Sequence, residues 1–303
     1  MLVYTPDRPY AEALLRARLS PADPAAASPV LRSCAEGASV YQADPGWGSA
    51  AAHVCCVEHA AASHYDHFVA LLGDLADLPD RTLALAGAGS GFHGLRNRPW
   101  EARAGNLHLV VCYRPARQVA GFGPGFLALP AVAVAECVDQ MPGLAGQAQI
   151  KWTNDVLVDG AKVSGVLTHL QAMGSTVTGV VLGIGLNVET RPDVAPSPFV
   201  PEVACLDGLA GGPVRLPGVL AALVGCLERN YALLVGGGWR DLVGRYRARS
   251  VVIGRRVRIV ADSGPEAGQT VAAGLVESIE DDLSLRLRGR PEPIRHGQLV
   301  LEP

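Results

Sequence analysis

Lysine is almost missing from this chain. Of 26 basic residues in 303, only Lys151 and Lys162 are lysine, and the other 24 are arginine. Aromatic residues are few as well, at 5%. No apolar run reaches the eighteen or so residues that a membrane span needs. The longest candidates, 177–188 and 216–227, are broken by glycine or polar residues, so no membrane partner is expected. The opening stretch MLVYTPDRPYAEALL has no basic segment followed by an apolar one, which argues against a secretory leader and for a cytoplasmic location. Positive charge is not in excess. A net charge of −3 and a pI near 6.2 leave no general footprint for nucleic acid. Seven cysteines include no CxxC pair, so reduced, buried thiols are expected. His53, His59, His64 and His67 gather near Cys55 and Asp66, but their spacing fits no closed tetrahedral metal site.

The two lysines lie eleven residues apart in IKWTNDVLVDGAKVSGVLTHL, residues 150–170. One reading is chance survival in a composition that prefers arginine. The other is that these positions need a compact ammonium on a flexible stem, where arginine's planar fork does not fit a reacting oxygen.

Three regions follow from the patterning. Residues 1–55 open with a strand-like LVY, a Pro-Asp turn, a helix-like AEALLRARL and the loop-like SPADPAAASP. They carry four arginines against five acids and no pair of helices joined by a short turn. They therefore form an N-terminal extension that is not a helix-turn-helix, and no DNA partner is expected. Residues 56–249 mix helices and strands. An amphipathic helix is expected over 57–76, with Phe68, Leu71, Leu72 and Leu75 on one face. RTLALAGAG and LHLVVCY read as strands, 124–141 and 219–234 as helices, and the stretch from 149 to 188 as short β-branched strands with an Asp159-Gly160 hairpin turn. Residues 250–303 alternate every second residue between turns, the pattern of a small all-β module.

Gly89-Ser90-Gly91-Phe92-His93-Gly94 has GxGxxG spacing. A dinucleotide fingerprint would need a helix beginning there and an acid farther on. Pro99 and Gly105 break any helix, and residues 109–113 carry no acid. What remains is a glycine loop with Arg96, Arg98 and Arg103 beside Trp100. Its amides and guanidinium groups suit a polyphosphate and its indole suits a base, although a solvated basic loop with a packed tryptophan has the same composition.

KWTNDVLVDGAKVSGVL (151–167), GIGLNV (183–188) and the β-rich tail together resemble the biotin protein ligases. That family's core reads KWPNDV, a short turn, KxxGIL and then GIGINV. Both lysines fall on motif positions. The resemblance implies an α+β fold in which helices flank a mixed sheet, as in class II aminoacyl-tRNA synthetases, followed by a small C-terminal SH3-like β-barrel. It implies ATP, Mg²⁺ and biotin, with transfer of biotin to a lysine of a carrier protein or domain; a homodimer is compatible with it. Position by position, Lys162 becomes the catalytic charge. Arg96, Arg98, Trp100, Asn154, Asp155 and Asn187 face the nucleotide, with Asp155 a partner for Mg²⁺ or a loop amide. Ser63, His93, Gly94 and Gly165 face biotin. The glycine loop is expected to order over the adenylate.

Some positions depart from the family. Its loop carries arginines where this chain has Ser90 and Phe92, and a glutamine where it has Ala86. Its biotin-binding Ser-Thr-Asn corresponds at best to Ser63-His64-Tyr65. Activation of a different acid, lipoate-like, or a non-catalytic ligand-binding role therefore stands beside the ligase reading.

Overall fold

The protein is described here by a computed structural model over residues 1–35, 37–73, 78–265 and 267–302. In chain order the first half contains β1 (Leu2–Thr5), α1 (Arg8–Leu15), β2 (Ser20–Pro21), α2 (Pro29–Ser33), β3 (Ser39–Gln42), β4 (His53–Ala60), α3 (His64–Gly73) and β5 (Thr82–Gly89). Then come β6 (Leu107–Tyr113), β7 (Arg117–Gln118), α4 (Phe122–Val138), β8 (Ala148–Lys151), β9 (Asp155–Val158), β10 (Ala161–Met173) and β11 (Thr176–Leu186). The last part holds α5 (Leu206–Leu209), α6 (Leu216–Val235), α7 (Trp239–Ala248), β12 (Arg256–Val260), β13 (Thr270–Ile279), β14 (Leu285–Leu287) and β15 (Gln298–Leu301).

Eleven strands make one mixed sheet in the order β2-β3-β1-β4-β5-β6-β11-β10-β9-β8, with β7 paired to β11. Among the described pairs of strands only β1–β4 and β4–β5 run parallel. Side chains of a strand point alternately to its two faces, and here each face has its own core. From β6, Leu107, Leu109, Val111 and Tyr113 join the larger core with α4 and α6, while Val110 and Cys112 join Phe68 and Leu72 of α3. All seven residues of β6 are buried for that reason. Helix α4 buries twelve of its 17 residues, so it has no polar face, as expected of a helix enclosed on all sides. Helix α6 has the length and composition to cross a membrane, yet half of its apolar window is buried, and it packs on α4.

Two expectations change. Residues 57–60 do not begin a helix; they complete β4, and α3 starts at His64. Leu75, assigned to the helix face, lies outside the described residues. The boundary drawn between 55 and 56 falls inside β4, because β1 pairs in parallel with it and β3 pairs with β1. Residues 1–55 thus supply one end of the main sheet. The hairpin turn is as expected: Asp159 and Gly160 both take left-handed φ, at 49° and 76°, the backbone that a tight two-residue turn demands.

The C-terminal strands form a separate antiparallel sheet in the order β14-β13-β12-β15. It is bonded to the main body: the Trp152 indole Nε1 donates to the Leu283 carbonyl at 2.7 Å, and Ile150 exchanges backbone hydrogen bonds with Arg249 and Val251.

Candidate active site

One row of the main sheet gathers the motifs. Reading across from β5 to β8, the paired residues are Ala86, His108, Gly185, Gly165, Asp155 and Lys151. Segments far apart in sequence therefore lie side by side. The two glycines at the centre of this row leave a floor without Cβ atoms. A Cβ on Gly185 would come 2.5 Å from the Trp100 indole, and one on Gly183 would come 2.8 Å from the Tyr65 ring. The rings can approach the strands this closely only because those side chains are absent. Above the floor is a cavity of about 230 Å³. Phe92, Leu109, Val166 and Ile184 give it apolar walls, and Pro192, Val194 and Val200 close it from the segment after β11.

Lys162 reaches this cavity through a defect in the strand pairing. The β9–β10 register shifts between Lys162 and Ser164, and such a bulge re-aims side chains. Strict alternation would put residues 162 and 165 on opposite faces, yet both line the cavity. The Lys162 ammonium lies 2.7 Å from Asp155 Oδ1 and 5.7 Å from the centroid of the Trp100 ring. Lys151 does something different. It is buried, its ammonium donates to the Phe199 carbonyl, and its pKa is lowered mainly by burial, against the pull of Asp155. It ties the 198–203 segment to the sheet.

Of the other residues singled out, Arg98, Trp100, Asn154, Asn187, Ser63, His93, Gly94 and Gly165 also line the cavity. Asn154 donates through Nδ2 to the Val166 carbonyl at 2.9 Å, and Asn187 donates to the Ala204 carbonyl at 3.0 Å. Asn187 Oδ1 is buried with no hydrogen-bond partner among the described residues. Asp155 and Arg96 instead face a smaller polar recess of about 30 Å³ that also takes in Arg98, Asn154, Gly297 and Gln298. The Arg96 guanidinium is ion-paired to Asp262, beyond β12, so it is directed to the C-terminal sheet and away from the main cavity.

The glycine loop folds back on itself. The Gly94 amide donates to the Arg98 carbonyl at 2.7 Å and the Trp100 amide to the Phe92 carbonyl at 2.9 Å. Ser63 Oγ accepts from the Tyr65 amide at 3.3 Å and caps the first turn of α3. Tyr65, Phe92 and His108 line the cavity too; the sequence reading names Tyr65 and Phe92 only as departures from the family, and His108 not at all. Only His108, a lone polar residue in the apolar run LHLVVCY, carried a local signal. Burial lowers the His108 pKa to about 4, so the ring is neutral. Its Nδ1 accepts from Trp100 Nε1 at 3.4 Å and its Nε2 donates to the Arg103 carbonyl at 3.3 Å.

Asn106 anchors the end of β11 beside the cavity. Fully buried, it accepts from the amides of Val188 (2.9 Å) and Thr190 (3.1 Å) and donates to the Thr190 carbonyl (2.8 Å). Asn106→Ala would strand these groups away from water. Urea denaturation should show a loss of about 2–4 kcal/mol at unchanged m; a loss below about 0.5 kcal/mol would mean that water satisfies them.

Known proteins share this chain's sequence and fold. Residues 76–187 match the model of the Biotin/lipoate A/B protein ligase family. A biotin--[acetyl-CoA-carboxylase] ligase of Paracoccus denitrificans is 31% identical over 198 residues, covering 65% of this chain and 79% of that protein. The chain belongs to the biotin/lipoate protein ligase family. The bifunctional ligase/repressor BirA of Bacillus subtilis is 28% identical over 194 residues, which are 64% of this chain but 59% of BirA, so the match spans less than two thirds of that relative. The structure of a biotin protein ligase from Aquifex aeolicus in complex with biotin and ATP shares the fold, with a TM-score of 0.60 at 17% identity over 82% of this chain and 98% of that one.

For a metal, the donors are sparse. No group of three His, Cys, Asp or Glu side chains converges among the described residues. Asp155 offers one carboxylate, already bonded to Lys162. The residues do not form a metal site of their own, so Mg²⁺ would have to arrive on the phosphates of a nucleotide.

Proposed function

We propose that the chain is a biotin protein ligase, joining biotin to AMP at the expense of ATP and passing the biotinyl group to a lysine of a carrier protein or domain. The observation that carries this is the Lys162 ammonium set over a glycine floor, between Asp155 and the Trp100 ring, in an apolar cavity. In the first step a carboxylate oxygen of biotin attacks the α-phosphorus, the bond to the bridging oxygen of pyrophosphate breaks, and pyrophosphate leaves. Two anions must approach each other, and a fixed cation at their meeting point lowers that barrier. Lys162 is that cation, and Asp155 holds its ammonium in place. Trp100 gives the base a stacking face, Arg98 attracts phosphate oxygens, and the free Asn187 Oδ1 accepts from a ligand N–H or O–H group. In the second step the carrier's neutral amine attacks the acyl carbon, the bond to AMP breaks, and the amine loses a proton. No enzyme nucleophile is required; the chain orients the reactants and excludes water.

The C-terminal sheet, which we read as a small SH3-like barrel over 250–303, contributes Gly297 and Gln298 to the polar recess, so the nucleotide half of the site spans both sheets. DNA is left out of the proposed partners. In residues 1–55, β1–β3 are built into the sheet and the net charge is negative, which leaves no basic helix for a groove; a gel shift at low salt checks this.

A second reading, activation of a different carboxylic acid, is favoured by Phe92 and the Ser63–Tyr65 segment where the family has arginine and Ser-Thr-Asn. One assay separates the two. ATP–pyrophosphate exchange with a panel of carboxylic acids should run fastest with biotin. Exchange driven by another acid alone establishes the second reading, and none with any acid removes both.

A further inference from the structure

The two ring nitrogens of His93 define its protonation state. Nδ1 lies 3.1 Å from the Gly94 carbonyl oxygen, and Nε2 lies 2.9 and 2.8 Å from the two oxygens of the Asp66 carboxylate. A carbonyl and a carboxylate accept hydrogen bonds and do not donate them. Each contact therefore needs a proton on the nitrogen, and neutral imidazole has one proton for two nitrogens. The geometry calls for an imidazolium. This contact joins the glycine loop to α3 across the cavity, where Tyr65 and His93 meet edge to face with ring centroids 6.4 Å apart.

We propose that the His93–Asp66 pair is the latch that holds the glycine loop against α3 over the acid's end of the cavity, with His93 a positioning residue that works as an imidazolium. The proposal rests on the ligase reading of the site. At the two loop positions where the family carries arginine, this chain places no charge. Ser90 Oγ donates to the Ala61 carbonyl at 3.1 Å, and the Phe92 ring packs against His108 with centroids 5.4 Å apart. Between the loop and α3 the cation is His93, bonded to Asp66.

The groups that face the latch are few. From α3 come Asp66 and Tyr65. From the loop come Arg98, whose Nε donates to the Leu95 carbonyl at 3.1 Å, and Arg96, paired to Asp262. From β6 comes the neutral His108, and from β10 comes Lys162, paired to Asp155. Asp66 is the acid that bonds the ring. Burial works against the charge on His93, but the Gly94 carbonyl and the Asp66 carboxylate outweigh it and hold the proton above the ordinary imidazole range. A raised folded value fixes the sign. The charged latch is complete below the usual 6.5, and as pH rises through the folded value the neutral ring, with one N–H left, loses the ion pair and one of its two bonds. Asp66 is 59% exposed at its side chain, so salt should weaken the latch too.

The test measures the KM for biotin in pyrophosphate exchange from about pH 6 to about pH 9, alongside NMR titration of the His93 ring in the full chain. In the wild type KM is expected to rise roughly tenfold across that range, the scale of one charge-assisted hydrogen bond. His93→Gln should start high and stay flat. His93→Arg, a permanent cation, should stay low and flat, a rescue that a merely structural role would not produce. Asp66→Asn should shift the rise to lower pH. The NMR arm needs no catalysis. If no acid supports exchange, the ligase reading falls, and the latch still stands or falls on the His93 titration and on whether protease nicking of the loop increases with pH. His93 titrating at or below 6.5, or a His93→Gln profile that copies the wild type, would overturn the proposal.

Discussion

Replacing Lys162 with alanine is expected to lower acid-dependent ATP–pyrophosphate exchange by at least about a hundredfold, the scale on which a single preorganised charge contact acts in acyl and phosphoryl chemistry. The side chain is largely enclosed, 15% exposed, and its partner Asp155 is 11% exposed. Removing the ammonium therefore has two effects. The carboxylate and the phosphate lose their shared cation, and Asp155 is left in the cavity wall without its ion pair. The second effect could unfold the site rather than disarm it, so Lys162→Ala with Asp155→Asn is the control. If the double variant folds like wild type and still fails in exchange, the loss belongs to chemistry. Lys162→Arg should recover little. A planar guanidinium spreads its charge over a wide fork and cannot set a compact cation between Asp155 and the Trp100 ring as the ammonium does. Near-normal exchange by Lys162→Ala would remove the proposed mechanism.

Scarcity drew attention to Lys151 and Lys162 alike and left chance survival open; the choice of Lys162 as the proposed catalytic charge came from the resemblance to the biotin protein ligases. The helices α4 and α6 and the strands β5, β6, β10 and β11 were legible for a simpler reason, since each is a long apolar run bounded by glycine, proline or a turn. Strand β4 was not. VCCV has apolar residues on both faces because it lies between β1 and β5 in parallel pairing, and a strand buried on both sides shows no alternation. Without β4, residues 1–55 look like an appendage. The same limit applies at the site. Nothing near Arg96 in the sequence announces that it turns to Asp262 in the loop after β12, and nothing near Tyr65 announces that its ring rests on Gly183, more than a hundred residues away. Motif spacing identifies residues that lie on the same row of a sheet; it does not say which side chains from elsewhere are laid over that row.

The floor itself makes the sharpest distinction between two substitutions that look alike in sequence. Gly165 and Gly185 are paired neighbours on β10 and β11, and both lie under Trp100. On Gly165 a Cβ would stand 3.4 Å from the indole and 3.4 Å from Lys162 Nζ, an ordinary van der Waals distance. On Gly185 it would stand 2.5 Å from two ring carbons and 3.0 Å from Nε1, which no real contact sustains. Alanine at 185 must therefore lift the indole, breaking its bond to His108 and removing the ring that faces Lys162, whereas alanine at 165 needs no movement. A displacement of about 1 Å at a positioning group can lower a rate on the order of a hundredfold. Gly185→Ala is expected to lose that much exchange activity, with a changed tryptophan emission and little loss of stability, while Gly165→Ala stays close to wild type in both. Equal activity in the two variants would mean that Trp100 is free to move over this floor, and its role as a fixed stacking face would have to be given up.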